Sequence, residues 1–286
     1  MKKFLLATLL SVAALLSPAA SSLTGLMAQS GEDSSLRVVS FNIRNGEAND
    51  GTNSWIYRYP ASVLMVREIR PDIMGLQEAY EYQVNFLAEN LRDYKCVGVG
   101  REDGKHEGEH MSIFYNKKTV SLKKWGTFWL SETPDEPSLG WDGACRRTAT
   151  WALMKDKRTG HKFIYVNTHL DHVGKAAQRN GLNLIMEKVA ELNTDNLPVV
   201  LTGDFNVEPD DSILEALDGK MTSARDVAVK TDRHGTYNDW GKASSVIDYI
   251  YFTGFSSCPE FRTVTEKFGD WQFVSDHYPV TAVLIF

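Results

Sequence analysis

From Leu36 onward, short apolar runs alternate with polar turns. LRVVSFNI, DIMGLQE, YKCVGVG, MSIFYN, VSLKKWGTFWL, RTATWALMK, KFIYVNTHL, LPVVLTGDFN, SVIDYIYF and YPVTAVLIF are rich in β-branched and aromatic residues. Turn-forming residues bound them, so they predict strands. Helical spacing occurs in PASVLMVREIR (60–70), where Val63, Val66 and Ile69 share a face, and in YQVNFLAENL. It is clearest in KAAQRNGLNLIMEKVAELN, where Leu182, Ile185, Met186, Val189 and Leu192 recur at three- and four-residue steps. DSILEAL predicts a short helix behind an Asp or Ser cap. REDGKHEGEH (101–110) reads as a charged loop. Strands outnumber helices, both run the whole length, and no linker interrupts 36–286. The expected fold is one mixed α/β domain with two sheets packed together and helices outside.

The first residues follow a different pattern. Lys2 and Lys3 precede an uncharged, largely apolar run, Phe4 to Leu16, and then Pro18, Ala19, Ala20, Ser21 and Ser22. This is the pattern of a secretory signal, expected over 1–28, with cleavage after Ala20, Ser22 or Ala28. The alternative is an amphipathic or buried N-terminal helix. The run is short of the ~20 residues that span a bilayer. No other segment predicts a transmembrane helix. QSGEDSS (29–35) is a polar linker, and the expected location is exported, either periplasmic or secreted.

Composition narrows the class. Hydrophobic residues make up 43% and charged residues 24% of 286 residues, a globular balance that allows a sizeable core. Of 31 basic residues two lie in the leader, leaving 29 against 37 acidic residues and a mature charge of −8. An acidic surface argues against a tight nucleic-acid partner, although nucleic acid is not excluded as a substrate. Cys96, Cys145 and Cys258 allow one internal disulfide with three pairings, and three thiols are the plainer expectation. A monomer is expected.

Polar groups gather where the apolar runs end: Asn42, Glu78, His169, Asp204 with Asn206, Asp248, and Asp276 with His277. Such positions are where α/β proteins place function. Glu78, Asp204 and Asp276 offer the oxygen ligands a hard divalent cation prefers. A carboxylate beside an amide, Asp204 with Asn206, suits activation of water. Asn42, His169, Asn206 and His277 can donate to phosphoryl oxygens. Asp248, in an otherwise apolar run, is costly to bury without a partner, and His277 is the natural one.

The ordered set SFN (40–42), LQE (76–78), NTHLD (167–171), GDFN (203–206), IDYIY (247–251) and SDH (275–277) resembles the endonuclease/exonuclease/phosphatase superfamily. The resemblance covers about 36–286. It implies a DNase I-like, four-layer α/β/β/α sandwich, classed α/β (α+β), and a hydrolase using Mg²⁺ or Mn²⁺ on phosphate esters. It implies that Glu78 holds the metal with Asn42 beside it and Asp276 completing the set. It implies that Asp204 activates water, Asn206 holds water and phosphate, and His169 and His277 touch the phosphate, with Asp248 orienting His277.

FNIR (41–44), Trp55 and Arg58 in W-x-x-R, GEHMSIFY (108–115), FWLSETP (128–134), GWD (140–142) and RRTATW (146–151) resemble a bacterial branch closer to deadenylase-type domains. Arg44 stands where some branches carry an acid. Arg44, Arg58, Glu109 and Arg147 are expected to line the cleft and bind substrate, and His172 to sit at its rim or on the surface. The main expectation is an exported metal-dependent phosphoesterase acting on a phosphodiester or phosphomonoester. A nuclease is the alternative. An inactive binding module is disfavoured because every expected position carries a competent residue. A membrane-docking reading would need FWLSETP or FTGF (252–255) exposed.

Overall fold

The computed structural model describes residues 34–286. The expected leader (1–28) and linker residues 29–33 lie outside the described residues. The folded part starts inside the stretch read as linker, because Ser35 pairs with Ile285 of the final strand.

One sheet runs, in spatial order, β13 (Ser257–Thr263), β14 (Val280–Ile285), β1 (Ser35–Asn42), β2 (Ile73–Gln77), β6 (Ile113–Asn116) and β4 (Tyr94–Val97). The other runs β11 (Thr222–Ser223), β12 (Asp248–Thr253), β10 (Val199–Asp204), β9 (Lys162–His169), β8 (Thr148–Asp156) and β7 (Val120–Trp129). A short pair, β3 (Ala79–Tyr80) and β5 (Glu109–His110), stands apart. Helices α1 (Trp55–Ile69) and α2 (Glu81–Asn90) cover the first sheet, and α3 (Lys175–Leu192) covers the second.

Period-two alternation within each strand builds these layers. Along β1, Leu36 and Val38 face the other sheet, while Val39 and Phe41 pack under α1 and α2. Along β10, Val200 joins the cluster between the sheets, while Val199 and Leu201 pack under α3. Three apolar clusters therefore fill three interfaces, and the result is the four-layer sandwich. Among the described residues no helix is long and apolar enough to cross a membrane.

The face between the sheets is graded. On β1 it passes from Leu36 and Val38 to Ser40 and Asn42, and on β9 from Phe163 and Tyr165 to Asn167 and His169. On β10 it passes from Val200 to Thr202 and Asp204. β1 runs parallel to β2, and β9 parallel to β10. Their polar ends therefore meet at one end of the sandwich.

Midway, Asn167 ties the sheets together. Its Nδ2 donates to Leu76 O (2.7 Å), and its Oδ1 accepts from Gln77 Nε2 (2.7 Å) and Thr202 Oγ1 (3.1 Å). The side chain fits because Gly75 faces it. A Cβ there would overlap the Asn167 amide and lie 2.7 Å from Thr202 Oγ1. Gly75→Ala should lower stability by about 1–3 kcal/mol, the usual cost of overpacking a filled interior. Urea unfolding checks this, and an unchanged midpoint would mean the sheets can separate freely.

Besides short pieces such as β5, which forms at the end of the stretch read as a charged loop, three elements differ from the sequence reading. α1 begins at Trp55 and not at Pro60, which lies inside it. Proline favours a first turn, and inside a helix it removes one hydrogen bond, here to the Ile56 carbonyl. Burial of Trp55 and Arg58 anchors the extra turn. DSILEAL forms a 3-10 helix, Ser212–Leu217, with Asp211 accepting from Ile213 N at 3.0 Å. β13 was not expected, because Pro259 and charged residues hide it. It is an edge strand, where a missing N–H is tolerated. All three cysteines are free thiols.

Candidate active site

Strand register assembles the site. Asp204 ends β10, opposite His169 of parallel β9 on one side and Asp248 of antiparallel β12 on the other. Asn42 ends β1 opposite Gln77, one residue before Glu78. The Asn42 amide bridges the sheets, donating to Glu78 Oε1 (3.0 Å) and Asp204 Oδ2 (2.9 Å). Its Oδ1 accepts from Arg44 N at 3.0 Å, which holds the amide in that orientation.

Arg44, Glu78 and Asn206 all have left-handed backbone, with φ of 61°, 62° and 54°. For residues with a Cβ this is strained, and such strain gathers at functional sites. It turns each side chain sharply off its strand end. Glu78 Oε2 accepts from Asn45 N (2.8 Å), and Asn206 N donates to Asp204 Oδ1 (2.9 Å).

Two histidines flank Asp204, and their surroundings shift them in opposite directions. His277 Nδ1 bonds Asp248 Oδ2 at 2.8 Å, and its Nε2 lies 3.8 Å from Asp204 Oδ2. Burial alone would lower its pKa, but Asp248, Asp204 and Asp276 outweigh that and push it up to about 10. His277 is therefore an imidazolium at neutral pH. His169 Nε2 accepts from Asn206 Nδ2 at 3.0 Å and lies 3.4 Å from Asp204. Burial first, then Arg147 and Arg101, hold its pKa well below the ordinary histidine range, so it is neutral. The network assigns its proton to Nδ1.

The acids differ as well. Burial, then Asp248, raises Asp204 to about 7. Burial would raise Glu78 too, but His277, Asn42 and the Asn45 N–H reverse this and leave it ionised. Ligand atoms of Glu78, Asp204 and His277 lie within 4.8 Å of one another. A protonated His277 is a poor ligand, so the cation-ready groups are carboxylate oxygens, which suits a hard ion. Asp276 lines the same cavity, with Oδ2 3.4 Å from Arg44 Nη1. Cys145, Asp171 and His172 also lie close together. There Asp171 already accepts from Ala144 N, Val173 N and Gly174 N, and Arg147 bonds His172, which leaves no cation site.

Glu78, His169, Asp204, Asn206, Asp276 and His277 line one cavity of about 500 Å³, while Asn42 and Asp248 are buried and not part of its lining. The sequence profile of the Endonuclease/Exonuclease/phosphatase family matches residues 39–277. The chain belongs to this family. Its members are hydrolases acting on phosphate esters and are generally dependent on divalent metal. A Bacteroides thetaiotaomicron mannosyl-6-phosphatase is similar in structure, with 36% identity, TM-score 0.83, and coverage of 88% of this chain and 100% of that one. The human Nocturnin catalytic domain shares the fold at 18% identity and TM-score 0.68, over 88% and 93%. An uncharacterised protein of Acanthamoeba polyphaga mimivirus is 24% identical over 87% of this chain and 99% of its own length.

Among the expected substrate residues, Arg44, Glu109 and Arg147 line the cavity, but Arg58 does not. Arg58 is 1% exposed and holds backbone instead. It donates to Asn53 O (2.8 Å), Ile43 O (2.8 Å), Val274 O (2.9 Å) and Arg44 O (3.2 Å). Its guanidinium also lies against Trp55 and Trp240, 5.3 and 5.5 Å from the ring centroids. It therefore clamps the segment after Asn42 to the one before Asp276. His172 lines the cavity mouth, exposed.

Sequence reasoning missed Arg101 and Tyr237. Arg101 was read only as part of a charged loop, yet it bonds Glu109 Oε2 at 2.6 Å. The loop's alternating charge was the available signal. Tyr237 reaches the site through a backbone bridge to His277, its ring 5.0 Å from the imidazole. No local signal marks it.

Proposed function

We propose that this chain is an exported, divalent-metal-dependent phosphatase of small phosphate monoesters. One observation carries the reading: the acid–amide–imidazole cluster opens into a cavity of about 500 Å³ whose other wall is Arg101, Glu109 and Arg147. That volume suits one small substrate. The similarity to a mannosyl-6-phosphatase supports the monoester, and the acidic surface disfavours a nucleic-acid strand. Export rests on the signal pattern at 1–28.

Glu78, with Asp276 beside it, would hold Mg²⁺ or Mn²⁺, whereas Asn42, expected among the metal residues, turns its NH₂ to Glu78 and Asp204 and so positions the acids instead of offering a ligand oxygen. When bound, the cation supplies positive charge to the transferring phosphoryl group. Asp204 takes one proton of the attacking water as the water oxygen bonds phosphorus; the ester P–O bond breaks, and the leaving oxygen takes a proton from solvent and departs as the alcohol. Asn42 and the Asn206 N–H fix both Asp204 oxygens, so the base is aimed before substrate arrives. The His277 imidazolium faces the phosphoryl oxygens, where charge builds, while the Asn206 amide, expected to hold phosphate, spends both its N–H groups on His169 Nε2 and Leu170 O and positions the imidazole instead.

The test is a panel of mannose 6-phosphate, p-nitrophenyl phosphate, bis(p-nitrophenyl) phosphate, RNA and plasmid DNA, each with Mg²⁺, Mn²⁺ or EDTA. Monoesters should turn over fastest. Chelation should cut the rate by at least about 10²-fold, with recovery on adding metal back. Cleavage of RNA or DNA with no monoester turnover would make the protein a nuclease instead.

A further inference from the structure

Beside the catalytic cluster, the cavity wall holds polar groups that the fold leaves incomplete. Arg147 is more than nine-tenths buried. Its Nη2 bonds His172 Nδ1 at 3.1 Å, but Nε and Nη1 have no hydrogen-bond partner. Glu109 Oε2 lies 3.9 Å from Nη1, and Asp171 Oδ2 lies 3.9 Å from Nε, both too far for a hydrogen bond. Glu109 is also more than nine-tenths buried. Its Oε2 accepts from Arg101, and its Oε1 accepts from none of the described residues. Buried donors left unmade, as at Arg147, are costly, so their natural completion is a ligand.

We infer that Glu109 and Arg147 form a hydroxyl-reading subsite that recognises two neighbouring hydroxyls on the leaving group of a polyol phosphate such as a sugar phosphate. This rests on the phosphatase reading above. A carboxylate and a guanidinium side by side present an acceptor next to donors. Each hydroxyl can donate one hydrogen bond and accept others, so adjacent hydroxyls match the pair. A second phosphate fits poorly. At Arg147 Nη1 it would meet the Glu109 carboxylate 3.9 Å away, and Arg101 Nη1 is already engaged by Glu109 at 2.6 Å. An apolar leaving group would leave the buried N–H groups unpaired.

The placement agrees with the chemistry. The Nε2 edge of His169 faces Asp204 and Asn206, while Nδ1 points toward Glu109 Oε2, 4.0 Å away. The phosphoryl site and the hydroxyl subsite therefore lie at opposite edges of one imidazole.

The experiment compares kcat/KM for mannose 6-phosphate and propyl phosphate, which lacks hydroxyls, in the full-length chain and in Arg147→Lys and Glu109→Gln. The ratio of the two constants is insensitive to the fraction of folded enzyme. The original chain should favour mannose 6-phosphate by about 10²-fold or more, since sites built to bond a hydroxyl strongly reject analogues without it. Each variant should bring that ratio to within about tenfold of unity. Unchanged ratios with both rates falling together would overturn the subsite, placing these residues on the phosphoryl group or the scaffold. Equal turnover of both esters by the original chain would also overturn it, while leaving the phosphatase reading intact. Cleavage of bis(p-nitrophenyl) phosphate with neither monoester touched would remove the phosphatase reading and the subsite together.

Discussion

Asp204→Asn is expected to lower kcat by about 10²- to 10⁴-fold, the range a positioned general base supplies, while the protein still folds. An amide cannot accept the proton of water. The fold should survive because the substitution is nearly isosteric and removes a buried charge that faces Asp248 across the β10–β12 pair. One local conflict remains. Asp204 Oδ2 accepts from Asn42, and Oδ1 accepts from Asn206 N. Whichever way the new amide turns, its NH₂ meets one of these donors, at a cost of about 1–3 kcal/mol. Steady-state kinetics beside a thermal melt separates the two effects. A near-normal rate would remove Asp204 from its role as base, and a collapsed melt would make the rate uninformative.

Arg58→Met should lower stability by about 3 kcal/mol or more, since each buried carbonyl left without a donor costs about 1–3 kcal/mol. Four backbone carbonyls, of Ile43, Arg44, Asn53 and Val274, lose a charged donor, and three of those bonds are 2.9 Å or shorter. Burial pushes the Arg58 pKa down to about 10, so the guanidinium is charged at neutral pH and donates fully. Because Ile43 follows Asn42 and Val274 precedes Ser275 and Asp276, the loss should also loosen the cation-binding end. The midpoint concentration of Mn²⁺ for activity should rise about tenfold in whatever fraction remains folded, with little change in saturated KM. Arg58→Lys should recover less than half of the stability, since a point charge cannot reach carbonyls spread around a planar fork. Denaturant melts and metal titration read these outcomes. A fully stable Arg58→Met would show that water satisfies the carbonyls.

The two residues differ in how far local sequence reveals them. Asp204 was legible because it closes an apolar strand and, just after Gly203, leaves the strand together with Asn206. Glu78 and His169 were legible for the same reason. Asp248 was legible by its cost, as a carboxylate entering an apolar run, and the structure gives it the imidazole of His277. Arg58 was visible in W-x-x-R, but the pattern could not say whether the guanidinium faces solvent, substrate or backbone. The answer lies in α1 starting a turn before Pro60, which buries Trp55 and Arg58 together. Arg101 and Tyr237 enter the cavity only through the Glu109 pair and the backbone bridge to His277.

The order of apolar and polar residues along each strand determined the layers and which end of the sandwich carries chemistry, because side chains alternate with a period of two and burial selects the apolar ones. The charge states of His169 and His277, the strained backbone at Arg44, Glu78 and Asn206, and the inward or outward fate of each arginine were decided only by tertiary structure. They depend on strand register, on the gap between two sheets and on distances of a few ångströms between residues far apart in the chain.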